Sequence, residues 1–203
     1  MRLFYRSLPF TSTVWLLARL LLAYEWLVAG WPKVFGPGSA AWVGPQAGAA
    51  VAGYLQRALT LTGGEHPSVY SWYAWVIESV FLPNATTLSF MVAIGEVLVG
   101  VALLLGIFTR FSVSMALLMN MAFFYAGTVS SLPYVLPLEL SMVLIGSYAG
   151  YYGVDGLLAR RLSWFRRPEE GQPAQGAARA WELIIPLVLV VWVALLLVIM
   201  LGH

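Results

Sequence analysis

Long apolar segments occupy most of the chain, and polar residues are concentrated in the stretches between them. In chain order, the apolar segments are Ser12 to Val34, Thr86 to Phe108, Phe111 to Val129, Leu136 to Leu158 and Leu183 to Leu201. An α-helix rises about 1.5 Å per residue, so about 20 apolar residues cross the hydrocarbon core of a membrane. Each segment is near this length, and the pattern therefore predicts five transmembrane helices.

Two connections between these segments are long enough to form structure of their own. The loop of residues 35–85 contains a predicted short helix at Ala49 to Leu61, followed by a stretch dense in Trp and Tyr at Pro67 to Leu82. Since aromatic residues concentrate at membrane surfaces, we expect this second stretch to lie at the level of the lipid head groups. The linker of residues 159–182 is rich in Arg, Pro and Gly.

The predicted fold class is all-α. It is an integral membrane four-helix bundle formed by residues 1–158, with a fifth C-terminal transmembrane helix at residues 183–203. The fifth segment is the most uniformly apolar, and we expect it and the basic linker to contact one or more partner subunits.

The composition agrees with a lipid environment. Apolar residues make up 61% of the chain and charged residues only 10%, too few to cover a water-facing surface. The chain has no cysteine, and its two histidines, His66 and His203, lie in a loop and at the last position. We therefore expect no haem, iron–sulfur cluster or zinc. The net charge of +2 comes from where the arginines lie and does not indicate nucleic acid.

The basic residues predict how the bundle is oriented. If the N-terminus is cytoplasmic, the opposite side carries only Lys33 and Arg57. The cytoplasmic side then carries Arg2, Arg6, Arg110, Arg160, Arg161, Arg166, Arg167 and Arg179. Because Lys and Arg concentrate on the cytoplasmic side of membrane proteins, we expect a multi-pass protein of the inner or plasma membrane with its C-terminus outside.

Polar residues inside the predicted helices are the main candidates for a functional site, because a charge within the membrane costs several kcal/mol unless it is paired or hydrated. Counting along the helices places Glu25 and Glu96 near mid-membrane, with Arg19 and Asn120 one or two turns nearer the cytoplasmic side. These side chains could line a polar cavity that binds an anion or a quinone head group, or that relays protons.

The alternative is that the same charges only hold the bundle together. In that interpretation the expected pairs are Arg19 with Glu96, Lys33 with Glu139, and Asp155 with Arg110 or Arg160. For Arg19 and Glu96 the sequence does not decide between the two interpretations. For Glu139 and Asp155 the structural one is favoured, because both are expected near a membrane interface.

The chain resembles the DoxX/DoxD family over about residues 12 to 158. The order and spacing of several short motifs carry the resemblance: Arg19, Gly30-Trp-Pro-Lys33, Trp72-Tyr73-Ala-Trp75, Gly95-Glu96-Val-Leu-Val-Gly100, Leu105-Gly106-Ile-Phe-Thr109-Arg110, Leu118-Met-Asn120, Ala126-Gly127-Thr128 and Ala149-Gly150-Tyr-Tyr-Gly153-Val-Asp155. The long aromatic loop is more similar to the DoxD branch, the small subunit of thiosulfate:quinone oxidoreductase.

The resemblance implies a four-helix membrane unit that passes electrons to a quinone, and the DoxD branch implies thiosulfate as their source. Arg19 or Lys33 would then hold an anion or a quinone oxygen, Glu96 would exchange the proton, and Asn120 would donate a hydrogen bond to the head group. Glu25 belongs to the same expected quinone site. Quinone is the expected cofactor, and Glu96 and Arg19 are the candidate catalytic residues.

Two other functions compete with this one. A non-catalytic accessory subunit of a larger respiratory or photosynthetic membrane complex is suggested by the extra fifth helix. A small transporter ranks third, because the sequence lacks the inverted repeats and paired broken helices of that class.

Overall fold

The computed structural model describes residues 8–128, 132–145 and 149–161, and the regular structure in these ranges is helical. The chain divides into two compact units, Met1–Leu157 and Leu158–His203. The first unit contains the helix bundle. The predicted fifth helix and nearly all of the predicted linker lie outside the described residues.

Eight α-helices follow one another along the described residues. They are α1 (Leu8–Phe35), α2 (Ser39–Trp42), α3 (Ala49–Leu59), α4 (Ser71–Val76), α5 (Ala85–Leu105), α6 (Thr109–Tyr125), α7 (Leu132–Ile145) and α8 (Val154–Arg161). A π-helical segment, Ile77–Phe81, continues α4. By length and composition two helices can cross a membrane, at Ser12–Phe35 and Ala85–Leu105, and α7 contains a shorter apolar stretch at Pro133–Leu144.

Four of these helices close into a bundle. α1 packs against α5, α5 against α6, α6 against α7, and α7 returns to α1. Its core is a single apolar cluster that includes Leu22, Trp26, Leu103, Val113 and Met142. An all-α fold is therefore confirmed.

Glycines set the register between the antiparallel helices α1 and α5. A Cβ atom added at Gly30 would lie 2.8 Å from the Cβ of Glu96, and one added at Gly100 would lie 2.7 Å from the Cγ of Leu27. Such small residues let two helix backbones approach closely. Residue 30 of α1 is therefore level with residue 96 of α5, a register that decides which charges can meet.

The loop between α1 and α5 packs as a second apolar cluster at one end of the bundle, here named the loop end. Val51, Leu55, Tyr73 and Ile77 are buried in it together with Ala126 at the end of α6. The predicted helix at Ala49 to Leu61 corresponds to α3, and the aromatic stretch forms α4 and the π-helical segment.

The fourth predicted segment, Leu136 to Leu158, has the wrong boundaries. α7 begins at Leu132 and is described to Ile145, whereas residues 149–153 form a turn and α8 begins at Val154. The turn contains Gly150, Tyr151, Tyr152 and Gly153. The two tyrosines keep the apolar pattern going, so hydropathy alone could not detect where the helix stops.

Candidate functional site

The polar residues predicted to share one cavity lie in four separate places. Arg19 is at the end of the bundle formed by the α5–α6 turn and residues 149–153, here named the turn end. Glu96 pairs with Lys33 toward the loop end. Asn120 binds Glu139 inside the bundle, and Glu25 lies on its surface.

The side chain of Lys33 forms an ion pair with Glu96. The Lys33 Nζ atom lies 2.5 Å from both carboxylate oxygens of Glu96, which is 1% exposed. Helical side chains lean toward the N-terminus, so Lys33 reaches back one turn to the level of Gly30, where Glu96 packs. The same Nζ atom lies 4.6 Å from the ring centroid of Trp42, a cation–π contact.

This pair corrects two predicted partners. Glu96 does not pair with Arg19, because Arg19 lies eleven positions before Gly30 on α1, about 16 Å along the helix. Glu139 does not pair with Lys33, because Lys33 is already bound to Glu96.

Arg19 ties α1 to the turn of residues 149–153. Its Nη1 atom donates to the carbonyl oxygen of Ala149 and its Nη2 atom to that of Tyr152, both at 3.0 Å. Gly106 and Gly153 pack closely against the guanidinium. A Cβ atom added at Gly106 would lie 2.1 Å from Nη1, and one added at Gly153 would lie 2.6 Å from it. Arg19 is 1% exposed, and its hydrogen bonds are to these two backbone carbonyls.

Asp155 caps the first turn of α6. Its carboxylate accepts hydrogen bonds from the backbone N–H groups of Phe108 at 2.8 Å and Thr109 at 2.7 Å. These are helix-start amides that have no partner inside the helix. Arg110, one of the two expected arginine partners of Asp155, is not among these donors, and the side chain of the other, Arg160, lies outside the described residues. The capped turn also holds Phe108 in a left-handed conformation, with φ of 45°.

Glu139 is the most deeply buried acidic residue of the bundle. Its carboxylate accepts hydrogen bonds from Asn120 Nδ2, at 2.9 and 3.0 Å, and from Trp26 Nε1, at 3.0 Å. The side chain is 0% exposed. Within the described ranges these donors are all neutral, so the carboxylate can gain or lose a proton without breaking an ion pair.

Glu139 lies farther inside its helix than the sequence predicted. The predicted segment began at Leu136, which left Glu139 only three residues inside it. The helix begins at Leu132, so Glu139 lies seven residues in, about 10 Å along the axis. Trp26 and Glu139 are residues that sequence reasoning did not place in the site, and no local motif marks their pairing across 113 positions of the chain.

Glu25 lies on the outside of the bundle. Its Oε1 atom accepts a hydrogen bond from the hydroxyl of Tyr134 at 3.0 Å, and Tyr134 is 50% exposed. Successive helical residues point about 100° apart. Trp26 therefore turns inward to Glu139 while Glu25 turns to the surface.

A cluster of tyrosines at the loop end has structural partners. The Tyr73 hydroxyl donates to the carbonyl oxygen of Ala122 at 2.8 Å, and the Tyr54 hydroxyl bonds that of Thr128 at 2.7 Å. Burial, with Tyr54 and Tyr125 nearby, raises the pKa of Tyr73 to about 12. Tyr73 therefore stays neutral over the physiological range. Among the described residues, acidic and histidine side chains form no group of three that could hold a metal ion.

Comparison with known proteins gives one match. The sequence profile of the DoxX family matches residues 14–128, more than half of the chain. The match includes most of α1, the loop and helices α5 and α6, and it ends before Glu139. Neither a curated protein nor a solved structure matches the chain.

Proposed function

Since the chain belongs to the DoxX family, whose members are membrane proteins, we propose that it is a quinone-interacting membrane subunit of a redox system. The observation that supports this most is the buried carboxylate of Glu139, held by the neutral donors Asn120 and Trp26. Reduction of a quinone to a quinol consumes two electrons and two protons. A buried acid that is free of an ion pair is a suitable proton donor inside a membrane.

Each residue of this cluster has a distinct part. Glu139 transfers the proton. Trp26 and Asn120 fix the orientation of its carboxylate from two different helices, α1 and α6. Once Glu139 moves, the Asn120 amide is free to donate a hydrogen bond to a carbonyl oxygen of the quinone head group. Bound quinone supplies the electron-accepting ring.

The surroundings of the cluster suit an aromatic head group. The bundle core contains Met142, and Met115, Met119 and Phe123 pack against it. Methionine side chains are flexible and make favourable contacts with aromatic rings. Because Glu139 is 0% exposed, a quinone reaches it only when neighbouring helices separate.

The proton-exchanging residue is then Glu139 and not Glu96, the residue expected from the sequence. Protonation of Glu96 would break its ion pair with Lys33, whereas protonation of Glu139 breaks none that the described residues form. Both cations predicted to hold a sulfur anion, Arg19 and Lys33, also have partners inside the chain. If the system is a thiosulfate:quinone oxidoreductase, we assign the thiosulfate site to a partner subunit.

The test compares Glu139→Gln with Glu78→Gln in the purified complex in lipid nanodiscs. Glu78 is an acidic residue on the exposed surface of the loop, so its variant controls for loss of a carboxylate. We expect Glu139→Gln to retain the fold and to slow quinone reduction about 100-fold, the usual effect of losing a general acid. Quinone reduction at the wild-type rate in Glu139→Gln would refute the proposal.

A second candidate is a non-catalytic accessory subunit. The observation that favours it is that the charges of Arg19, Lys33, Glu96 and Asp155 all have partners within the fold. Mass spectrometry of the gently solubilised protein separates the two functions. Stable partner subunits with no retained quinone would favour the accessory role, and retained quinone would favour the redox role.

A further inference from the structure

The hydrogen bond between Tyr134 and Glu25 lies on the exposed surface of the bundle. Tyr134 is 50% exposed and Glu25 is partly exposed. Glu25 lies ten residues from the end of α1 at Phe35 and seventeen from its start at Leu8, about 15 and 25 Å along the helix. This depth places Glu25 in the hydrocarbon region, far from phospholipid head groups.

A carboxylate at this position is poorly satisfied. Tyr134 is its one hydrogen-bond donor within the described ranges, and the rest of its surroundings on α1 are apolar. Leu21 and Val28 flank it one turn away on either side, 45% and 53% exposed. Polar side chains in contact with lipid are costly, and those that persist usually bind something.

The pair covers the seam between α1 and α7. Two layers of polar bonds bridge this seam, Tyr134 to Glu25 at the surface and Trp26 to Glu139 behind it. α1 and α7 also pack less extensively on each other than α1 does on α5. The seam therefore leads from the surface of the bundle toward Glu139, and these two hydrogen bonds close it.

A proline separates the two layers on α7. Pro137 lies between Tyr134 and Glu139 and has no N–H group, so the carbonyl of Pro133 receives no helical hydrogen bond from it. The first turn of α7, which carries Tyr134, can move without breaking a helical bond at that position. Glu139 follows the proline and stays in the bundle core.

We propose that Glu25 and Tyr134 form an access site, at which the head group of a quinone or quinol from the lipid binds before it reaches Glu139. The Glu25 carboxylate accepts a hydrogen bond from a quinol hydroxyl, and the Tyr134 hydroxyl donates to a quinone carbonyl. The exposed side chains of Leu21 and Val28 contact the apolar tail. This inference rests on the proposed function, because it names the route to the same carboxylate.

The experiment uses the full chain in phosphatidylcholine nanodiscs and a photoreactive azido-quinone with a short alkyl tail. Labelled peptides are mapped by mass spectrometry. The variants are Glu25→Gln, Tyr134→Phe and their double variant, and the matched control is Tyr24→Phe, a neighbouring tyrosine that is 63% exposed. Each variant changes few atoms, and gel filtration checks that it folds.

In the wild type we expect label on α1 around Glu25 and on α7 around Tyr134. The azido-quinone accepts hydrogen bonds and donates none, so Tyr134→Phe should reduce its labelling about fivefold. The probe reduced to its quinol donates to the Glu25 carboxylate, so its labelling should fall about fivefold in Glu25→Gln, and the double variant should lose labelling by both forms. Tyr24→Phe should be labelled as the wild type is. Absence of label around Glu25 and Tyr134, or equal labelling of the double variant, would overturn the access site.

The variant Glu139→Gln distinguishes this failure from that of the proposed function. If Glu139→Gln stops quinone reduction while the surface is never labelled, the proposed function stands and the access site is wrong. If the surface is labelled but Glu139→Gln is fully active, the access site stands and the role of Glu139 is wrong. A protein that takes no label anywhere would overturn both.

Discussion

Removal of the Lys33 side chain tests whether the Lys33–Glu96 pair is structural. In Lys33→Ala, the carboxylate of Glu96 loses its cation while it remains 1% exposed between α1 and α5. Removing one partner of a buried ion pair typically destabilises a protein by about 3–5 kcal/mol. The Lys33 side chain is 22% exposed, and water reaches part of the pair, so we expect the lower end of this range, about 3 kcal/mol.

The double variant Lys33→Met/Glu96→Leu separates the pair from its burial. Replacing a whole buried ion pair by apolar side chains of similar volume is often neutral or stabilising. We therefore expect the double variant to unfold near the wild-type midpoint and Lys33→Ala well below it. The measurement is thermal or denaturant unfolding in detergent, followed by tryptophan fluorescence. The reasoning is refuted if Lys33→Ala is as stable as the wild type, or if the double variant is the least stable.

Two further predictions concern the two ends of the bundle. Gly106 has a φ of 67°, and Gly106→Ala places a Cβ atom 2.1 Å from Arg19 Nη1. We therefore expect this variant to lose about 3 kcal/mol of unfolding free energy. The control is Gly53→Ala, which should be nearly neutral because no atom lies within 4 Å of the added Cβ. Similar unfolding midpoints for Gly106→Ala and Gly53→Ala would contradict this prediction. At the loop end, the pKa of Tyr73 is about 12 in the folded chain and about 10 in the unfolded chain. The contribution of neutral Tyr73 to the stability of the fold is complete below pH 10 and is lost as pH rises toward 12. Over that window the unfolding free energy of the wild type should therefore fall by about 2–3 kcal/mol more than that of Tyr73→Phe. Parallel curves of stability against pH would exclude this.

The apolar pattern predicted most of the helices because burial in lipid depends on residue type alone. The segments at Ser12 to Val34 and Thr86 to Phe108 lie within three residues of α1 and α5 at the ends facing the loop and the α5–α6 turn. The pattern failed at Ala149 to Gly153, where the aromatic side chains of a turn look as apolar as a helix.

The polar partners were less predictable, because they depend on helix register. An error of a few residues in a helix start moves a side chain by one turn, and one turn is enough to change its partner. The predicted helix start at Leu136, four residues after the observed start of α7, placed Glu139 at the level of Lys33. Without knowledge of the contact between Gly30 and Glu96, the α1–α5 register was set so that Glu96 was level with Arg19. The Gly30 and Gly100 contacts fix the α1–α5 register, and they are visible only once the two helices are packed.

Glu96 and Glu139 show why the identity of a buried residue does not determine its chemistry. Both are glutamates in the bundle, both are almost fully buried, and each has donors on a neighbouring helix. The donor to Glu96 is a lysine, so proton uptake there would leave a partly buried cation without its partner. The donors to Glu139 are an amide and an indole, so proton uptake changes one charge and separates none. The assignment of proton exchange to Glu139 therefore depends on the charge of its donors, which the sequence around either glutamate does not reveal.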